Sequence, residues 1–145
     1  MDEAQWANKM AAKVKEKRHQ EALNKETRLR DDEERRAQAP KLWQEFVGQV
    51  ENRVKAFNRA MDEDALGIKL NKPDEVVVGI CQFLTTVKAR LEGLSLKCSL
   101  VSTSAEYEIR LVNGQVVFTS GRSGEVNQID GIAERFVDDI IKMLY

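Results

Sequence analysis

Residues 42–61 read LWQEFVGQVENRVKAFNRAM, and this stretch decides how the chain is organised. Trp43, Val47, Val50, Val54, Phe57 and Met61 follow one another at alternating steps of four and three, with Leu42 and Phe46 beside them. That spacing keeps the large apolar side chains on one side of an α-helix. Glu45, Gln49, Glu51, Arg53, Lys55 and Arg59 occupy much of the remainder. A helix of this kind needs a surface to cover, and the chain on its C-terminal side supplies one.

From Leu66 onward the apolar period changes from about 3.6 to two. Ile68 and Leu70 alternate with Lys69 and Asn71, and Leu94, Leu96, Cys98 and Leu100 alternate with Ser95, Lys97 and Ser99. Tyr107, Ile109 and Leu111 alternate with Glu106, Glu108 and Arg110. Alternation of this sort suits half-buried antiparallel strands. Asn113-Gly114 is a strong hairpin signal, because both residues tolerate the positive φ of a tight primed turn. Residues 74–92 are less one-sided. Val77, Ile80, Leu84, Val87 and Leu91 would also fit a helix, but the β-branched run Val76-Val77-Val78 favours strands, with Phe83 to Leu91 as one of them. At the C-terminal end, Ile129, Ile132, Ala133, Phe136, Val137, Ile140, Met143 and Leu144 mark the apolar face of a last helix, with Asn127 as its expected N-cap.

On the N-terminal side, residues 2–38 contain neither Gly nor Pro and are rich in Ala, Glu, Lys, Gln and Arg. These are strong helix formers. Acids stand four residues before bases at Glu21/Lys25, Glu26/Arg30, Asp31/Arg35 and Asp32/Arg36, the order that supports a helix. Between Lys15 and Arg36 only Ala22, Leu23 and Leu29 are apolar, too few for a continuous buried face. Pro40 suits the first turn of a new helix and disfavours helix at Ala39 before it, a continuous helix kinked at Pro40 being the alternative. The expectation is therefore an α+β protein. Residues 1–40 form a charged helical arm that stands in solvent. Residues 41–145 form a globular domain, with a second helix from Pro40 or Lys41 to near Met61, an antiparallel sheet of about four to six strands, and a C-terminal helix on the sheet.

Composition bounds the function. The chain has 145 residues, 23 Lys/Arg and 24 Asp/Glu, for a formal net charge of −1. No global bias points to nucleic acid or an anionic membrane. The longest apolar run, Val76 to Cys81, is far short of the roughly 20 residues that span a bilayer, and the start Met1-Asp2-Glu3 lacks the features of a secretory signal. Two cysteines without a Cys-x-x-Cys spacing fit a reducing, cytoplasmic setting, with Cys81 and Cys98 both expected as buried small hydrophobes.

No catalytic or cofactor constellation emerges. His19 is the single histidine and lies in the most solvated part of the arm, unlike the base of a nucleophilic triad. Asp62-Glu63-Asp64-Ala65-Leu66-Gly67 starts like a calcium loop, but Leu66 and Pro73 stand where oxygen ligands are needed. Zinc would need clustered Cys and His. Gly121-Arg122-Ser123-Gly124 could offer backbone N–H groups and a guanidinium to an anion, although nothing like a phosphate-binding Gly-Lys-Ser/Thr follows. Lys9, Lys13, Lys15, Lys17 and Arg18 make a short basic patch, interrupted by Glu16 and Glu21, that could meet phosphates. Trp6, Met10 and Val14 form an apolar strip at the start of the arm, and Trp43, Val47 and Val50 head the helical seam. Both could hold a partner; the seam could equally be the face packed on the sheet. The expected role is a non-enzymatic, homodimerising or protein-binding module without cofactor, metal or membrane contact. A small-ligand-binding regulatory domain and a weak nucleic-acid binder are the alternatives.

Overall fold

The computed structural model of the chain describes residues 2–121 and 123–145. Elements follow in the order α1 (Glu3–Met61), β1 (Leu66–Lys72), β2 (Glu75–Ile80), β3 (Thr86–Glu92), β4 (Ser95–Ser99), β5 (Ser104–Val112), β6 (Gln115–Ser120), β7 (Val126–Asn127) and α2 (Ile129–Ile141), with a closing 3₁₀ turn at Lys142–Leu144. The α+β reading holds, with seven antiparallel strands instead of four to six. The extra strand is β7, whose two residues are too short to display a period.

Pro40 does not end a helix. It lies inside α1, which runs unbroken for 59 residues, so the expected separate second helix is the continuation of the first. An interior proline costs a helix about 3 kcal/mol. Packing on either side of this one offsets that cost, since Ala39 is 5% and Trp43 4% exposed. The chain divides into two compact units, one ending at Glu34 and the other Arg35–Tyr145.

In the second unit, residues 35–61 of α1 place Ala39, Trp43, Phe46, Val47, Val50 and Val54 in the core. The helix then stops in a specific way. Asp62 takes a left-handed φ of 55°. Its N–H donates to the Arg59 carbonyl, and the Glu63 N–H donates to the Asn58 carbonyl. These two bonds make a Schellman closure, with aspartate where glycine is usual. Asn58 adds a side-chain clamp. Its Nδ2 donates to the Leu66 carbonyl at 2.8 Å and its Oδ1 accepts from the Leu66 N–H at 2.9 Å, fixing where β1 begins.

The sheet is a meander in which every strand pairs with its neighbours in sequence. Its inward rows cross it strand by strand. Val76 faces Ala89, Ala89 faces Cys98, and Cys98 faces Ala105. Leu91 faces Leu96, and Leu96 faces Tyr107. Ile109 faces Phe118. The outward rows hold Lys88, Arg90, Lys97, Glu106 and Arg110, all exposed. Residues 74–92 are strands β2 and β3, as the β-branched content indicated. β3 starts only at Thr86, and Phe83 and Leu84 lie in the preceding turn, 63% and 99% exposed. Asn113 and Gly114 have φ of 52° and 77°, the primed turn that the dipeptide announced.

α2 lies over β2 and β3. It buries Ile132, Ala133, Phe136, Val137 and Ile140. The Phe136 ring meets Phe46 at 5.7 Å, and Phe46 meets Trp43 at the same distance. Two expectations for this helix are corrected. The N-cap is Gln128, without a side-chain cap bond. Asn127 belongs to β7, and its amide donates to Ser120 Oγ at 2.7 Å instead. Met143 and Leu144 lie beyond the helix end and are exposed, because the apolar spacing outlasts the helix that it predicts.

Candidate functional site

The N-terminal unit is built from the start of α1. Asp2 and Gln5 close a capping box: the Gln5 N–H donates to Asp2 Oδ1 at 2.7 Å, and the Asp2 N–H to Gln5 Oε1 at 3.3 Å. An acceptor followed three residues later by Gln is a readable signal for a helix start. Once that start is fixed, Trp6, Met10 and Val14 stand at successive steps of four along one side. They are 60%, 41% and 47% exposed. Burying such side chains fully would contribute about 1.5–3 kcal/mol each. Lys13 and Lys17 lie one heptad from Trp6 and Met10, so a basic row borders the apolar strip. Leu23 and Leu29 are also exposed, at 43% and 54%.

Trp43, Val47 and Val50, the other part of the expected partner surface, are 4%, 8% and 0% exposed. They pack in the core of their own unit and leave the candidate surface. The seam belongs to the core cluster that also holds the inward residues of the sheet and of α2.

Around the Gly121–Gly124 loop, three described N–H groups are held internally. Gly124 N–H donates to the Ser120 carbonyl, Ser120 N–H to the Glu125 carbonyl, and Glu125 N–H to Ser123 Oγ. Gly121 and Ser123 are exposed, and Arg122 lies outside the described residues. The Gly124 N–H is thereby engaged within the loop and does not point to a ligand. The cysteines separate. Cys98 is buried at 3% exposure, and burial pushes its thiol up to about 12, with Arg135 opposing weakly. Cys81 is exposed, contrary to expectation, because it falls in the turn after β2.

Two polar arrangements carry no local sequence signal. Arg53 Nη2 reaches Asp130 at 2.6 Å and Glu134 at 3.7 Å, tying α1 to α2. The Arg53 Nε is buried and has no hydrogen-bond partner among the described residues. It borders a groove of about 240 Å³ with Phe57, Val137, Asp138 and Ile141. Further along α2, the Arg135 guanidinium lies 5.7 Å from the Tyr107 ring centre and donates to Asn127 Oδ1 at 3.0 Å. Burial pushes the Tyr107 phenol up, and Arg135 partly opposes the shift. Arg53 and Asp130 are 77 positions apart and Arg135 and Tyr107 are 28 apart, so no local spacing rule reaches these pairs.

His19 is exposed on the arm. Among the described residues no group of three or more His, Cys, Asp or Glu side chains is placed to hold a metal ion. No described helix is long and apolar enough to cross a membrane. Asp62, Glu63 and Asp64 serve as the end of α1 and the turn after it. The most distinctive exposed feature is thus the Trp6–Met10–Val14 strip with its basic border. Comparison with protein-family models, with curated proteins and with solved structures found no match to this chain.

Proposed function

We propose that this protein is a non-enzymatic interaction module of a reducing, cytoplasmic compartment, and that it homodimerises through the strip Trp6, Met10 and Val14. The single observation that carries this reading is the exposure of three large apolar side chains, four residues apart, on a helix otherwise clothed in charge. A polar helix has no use for such a strip unless another surface covers it. The exposed, unpaired Cys81 thiol favours the reducing setting.

Light scattering on the full chain, against a Trp6→Glu/Met10→Glu variant, tests the proposal. The full chain is expected as a dimer and the variant as a monomer. A monomeric full chain at every accessible concentration would overturn it. A ligand-binding role has some support from the Arg53 groove and its unpartnered Nε. It ranks second because Asp130 and Glu134 already answer the guanidinium charge. A nucleic-acid role has the Lys9–Arg18 patch behind it, and ranks third because acids match the bases along the arm as a whole.

A further inference from the structure

We infer that the Trp6–Met10–Val14 strip of one copy docks in an apolar hollow of a second copy, lined by Ala65, Ile80, Phe83 and Leu144 together with Glu63 and Asp64. The inference rests on the proposal that the strip dimerises the chain, and it adds the surface that receives the strip.

The hollow lies wholly within the unit Arg35–Tyr145 and measures about 110 Å³. Ile80 is buried at 6% exposure, whereas Phe83 and Leu144 are 63% and 38% exposed. Phe83 stands out because its N–H donates to the Ile80 carbonyl, in a turn that ends the strand before the ring. Leu144 follows the end of α2 in the 3₁₀ turn. The unit's other described large apolar side chains that are exposed, Val126 apart, are Met61, Leu84, Met143 and Tyr145. Each stands within two sequence positions of Glu63, Phe83 or Leu144. Exposed apolar residues gathered around one hollow mark a place where another surface binds.

Charge selects the occupant. Glu63 and Asp64 line the hollow, and among the described residues no base does. Lys55 and Arg59 stand with these acids in a neighbouring hollow, where Asp62 brings the acids to three against two bases. On the arm, a helical advance of about 100° per residue puts Lys13 and Lys17 within about 60° of the line through Trp6, Met10 and Val14. Between Trp6 and Lys17 no acid shares that face, and Glu3 and Glu21 bound it at its two ends. The strip is thus apolar with two positive charges, and the hollow apolar with two negative ones. A second strip would set like charge on like, whereas the hollow answers both the apolar atoms and the lysines. Each copy carries one strip and one hollow, so a reciprocal exchange closes as a two-fold pair.

Mixing variants of the full chain tests this arrangement by light scattering. Phe83→Glu/Leu144→Glu alters exposed side chains, and is expected to raise the dimer dissociation constant about tenfold or more. Trp6→Glu/Met10→Glu should do the same from the other side of the contact. An equimolar mixture of the two should regain a mixed dimer, held by the one intact strip in the one intact hollow. Native-strength dimerisation of Phe83→Glu/Leu144→Glu would overturn the inference and leave the strip dimer standing. A mixture no tighter than either variant alone would overturn it as well. A monomeric full chain would overturn both readings.

Photo-crosslinking reads the same contact without disrupting it. Full chains with p-benzoylphenylalanine in place of Met10 are mixed as isotopically light and heavy forms and irradiated. Light-to-heavy crosslinks to residues 80–83 or to Leu144 are expected. Light-to-heavy crosslinks confined to residues 6–17 would show strip on strip and overturn the inference. Crosslinks only within one isotopic form would show the strip covered by its own chain, which overturns it too.

Discussion

Two stretches of the same helix carry similar apolar spacing and meet opposite fates. Residues 42–61 repeat large apolar residues at steps of three and four for five turns, and Trp43, Phe46, Val47, Val50 and Val54 are buried. Trp6, Met10 and Val14 repeat at steps of four for barely three turns and remain 41–60% exposed. Spacing alone does not secure burial. The longer seam is two residues wide in places, Phe46 beside Val47, and it lies in a unit that also holds a sheet and a second helix. The shorter one lies in a unit consisting of helix only, where the apolar strip finds no second layer. The comparison separates two outcomes of one pattern: a buried core face and an exposed strip.

The sharpest test of that contrast substitutes one residue on each side. Phe46→Ala removes a fully buried ring that touches Trp43 and Phe136. It is expected to lower unfolding stability by about 3–5 kcal/mol in a urea titration. A loss under about 1 kcal/mol would mean that the seam is not the core.

The cysteines extend the contrast to pH. The Cys98 thiol is held at about 12 in the folded chain, against an ordinary 9.0. Below pH 9 both states keep the proton and nothing changes. Between 9 and 12 the unfolded chain releases it and the folded chain does not. Stability should therefore fall by up to about 1.4 kcal/mol per pH unit above 9. Cys98→Ala should lack this component, so the two proteins' urea midpoints should converge at pH 10.5. In the native protein a thiol reagent should modify Cys81 promptly and Cys98 only on unfolding.

The division between the stretches can be moved by truncation. A chain beginning at Arg35 keeps the buried Ala39 and the Arg35 Nη1 donation to the Ile109 carbonyl. One beginning at Lys41 loses both and is expected to be about 1–2 kcal/mol less stable. Equal thermal midpoints would place the division at Pro40 instead. The smallest effect belongs to Trp6→Ala, which should change unfolding stability by less than about 0.5 kcal/mol. A larger change measured on the monomer would show that the strip is packed within its own chain.

Much of this fold is legible in local pattern. Alternation around Leu96, Cys98, Tyr107 and Ile109 marks inward residues correctly, Asn113-Gly114 marks its turn, and the helical period marks both helices. What escapes the pattern does so for identifiable reasons. Pro40 breaks a local rule and is carried by packing at Ala39 and Trp43. Phe83 and Leu84 continue an alternation that the chain ends at Ile80, where the Phe83 N–H donates to the Ile80 carbonyl to make a turn. Asn127 has the chemistry of a cap, yet pairing with Phe118 draws it into the sheet. The candidate strip was legible as Trp6, Met10 and Val14. Its companion residues Trp43, Val47 and Val50 were not separable from it, because core and interface favour the same side chains. Arg53 with Asp130, and Arg135 with Asn127 and Tyr107, arise only when α2 closes on the rest.

The strictly sequential strand order bears on how quickly this unit can assemble. Each strand finds its partner across a short turn, so the sheet can zip one hairpin at a time, with little entropy lost to loop closure at any step. The contacts between α1 and α2 are different: Phe46 with Phe136 and Arg53 with Asp130 join residues 90 and 77 positions apart in the chain. Those are the late and costly closures. In a stopped-flow experiment the sheet signal should therefore run ahead of the quenching of Trp43, which reports the docking of the helices, and the rate of folding should be set by that docking.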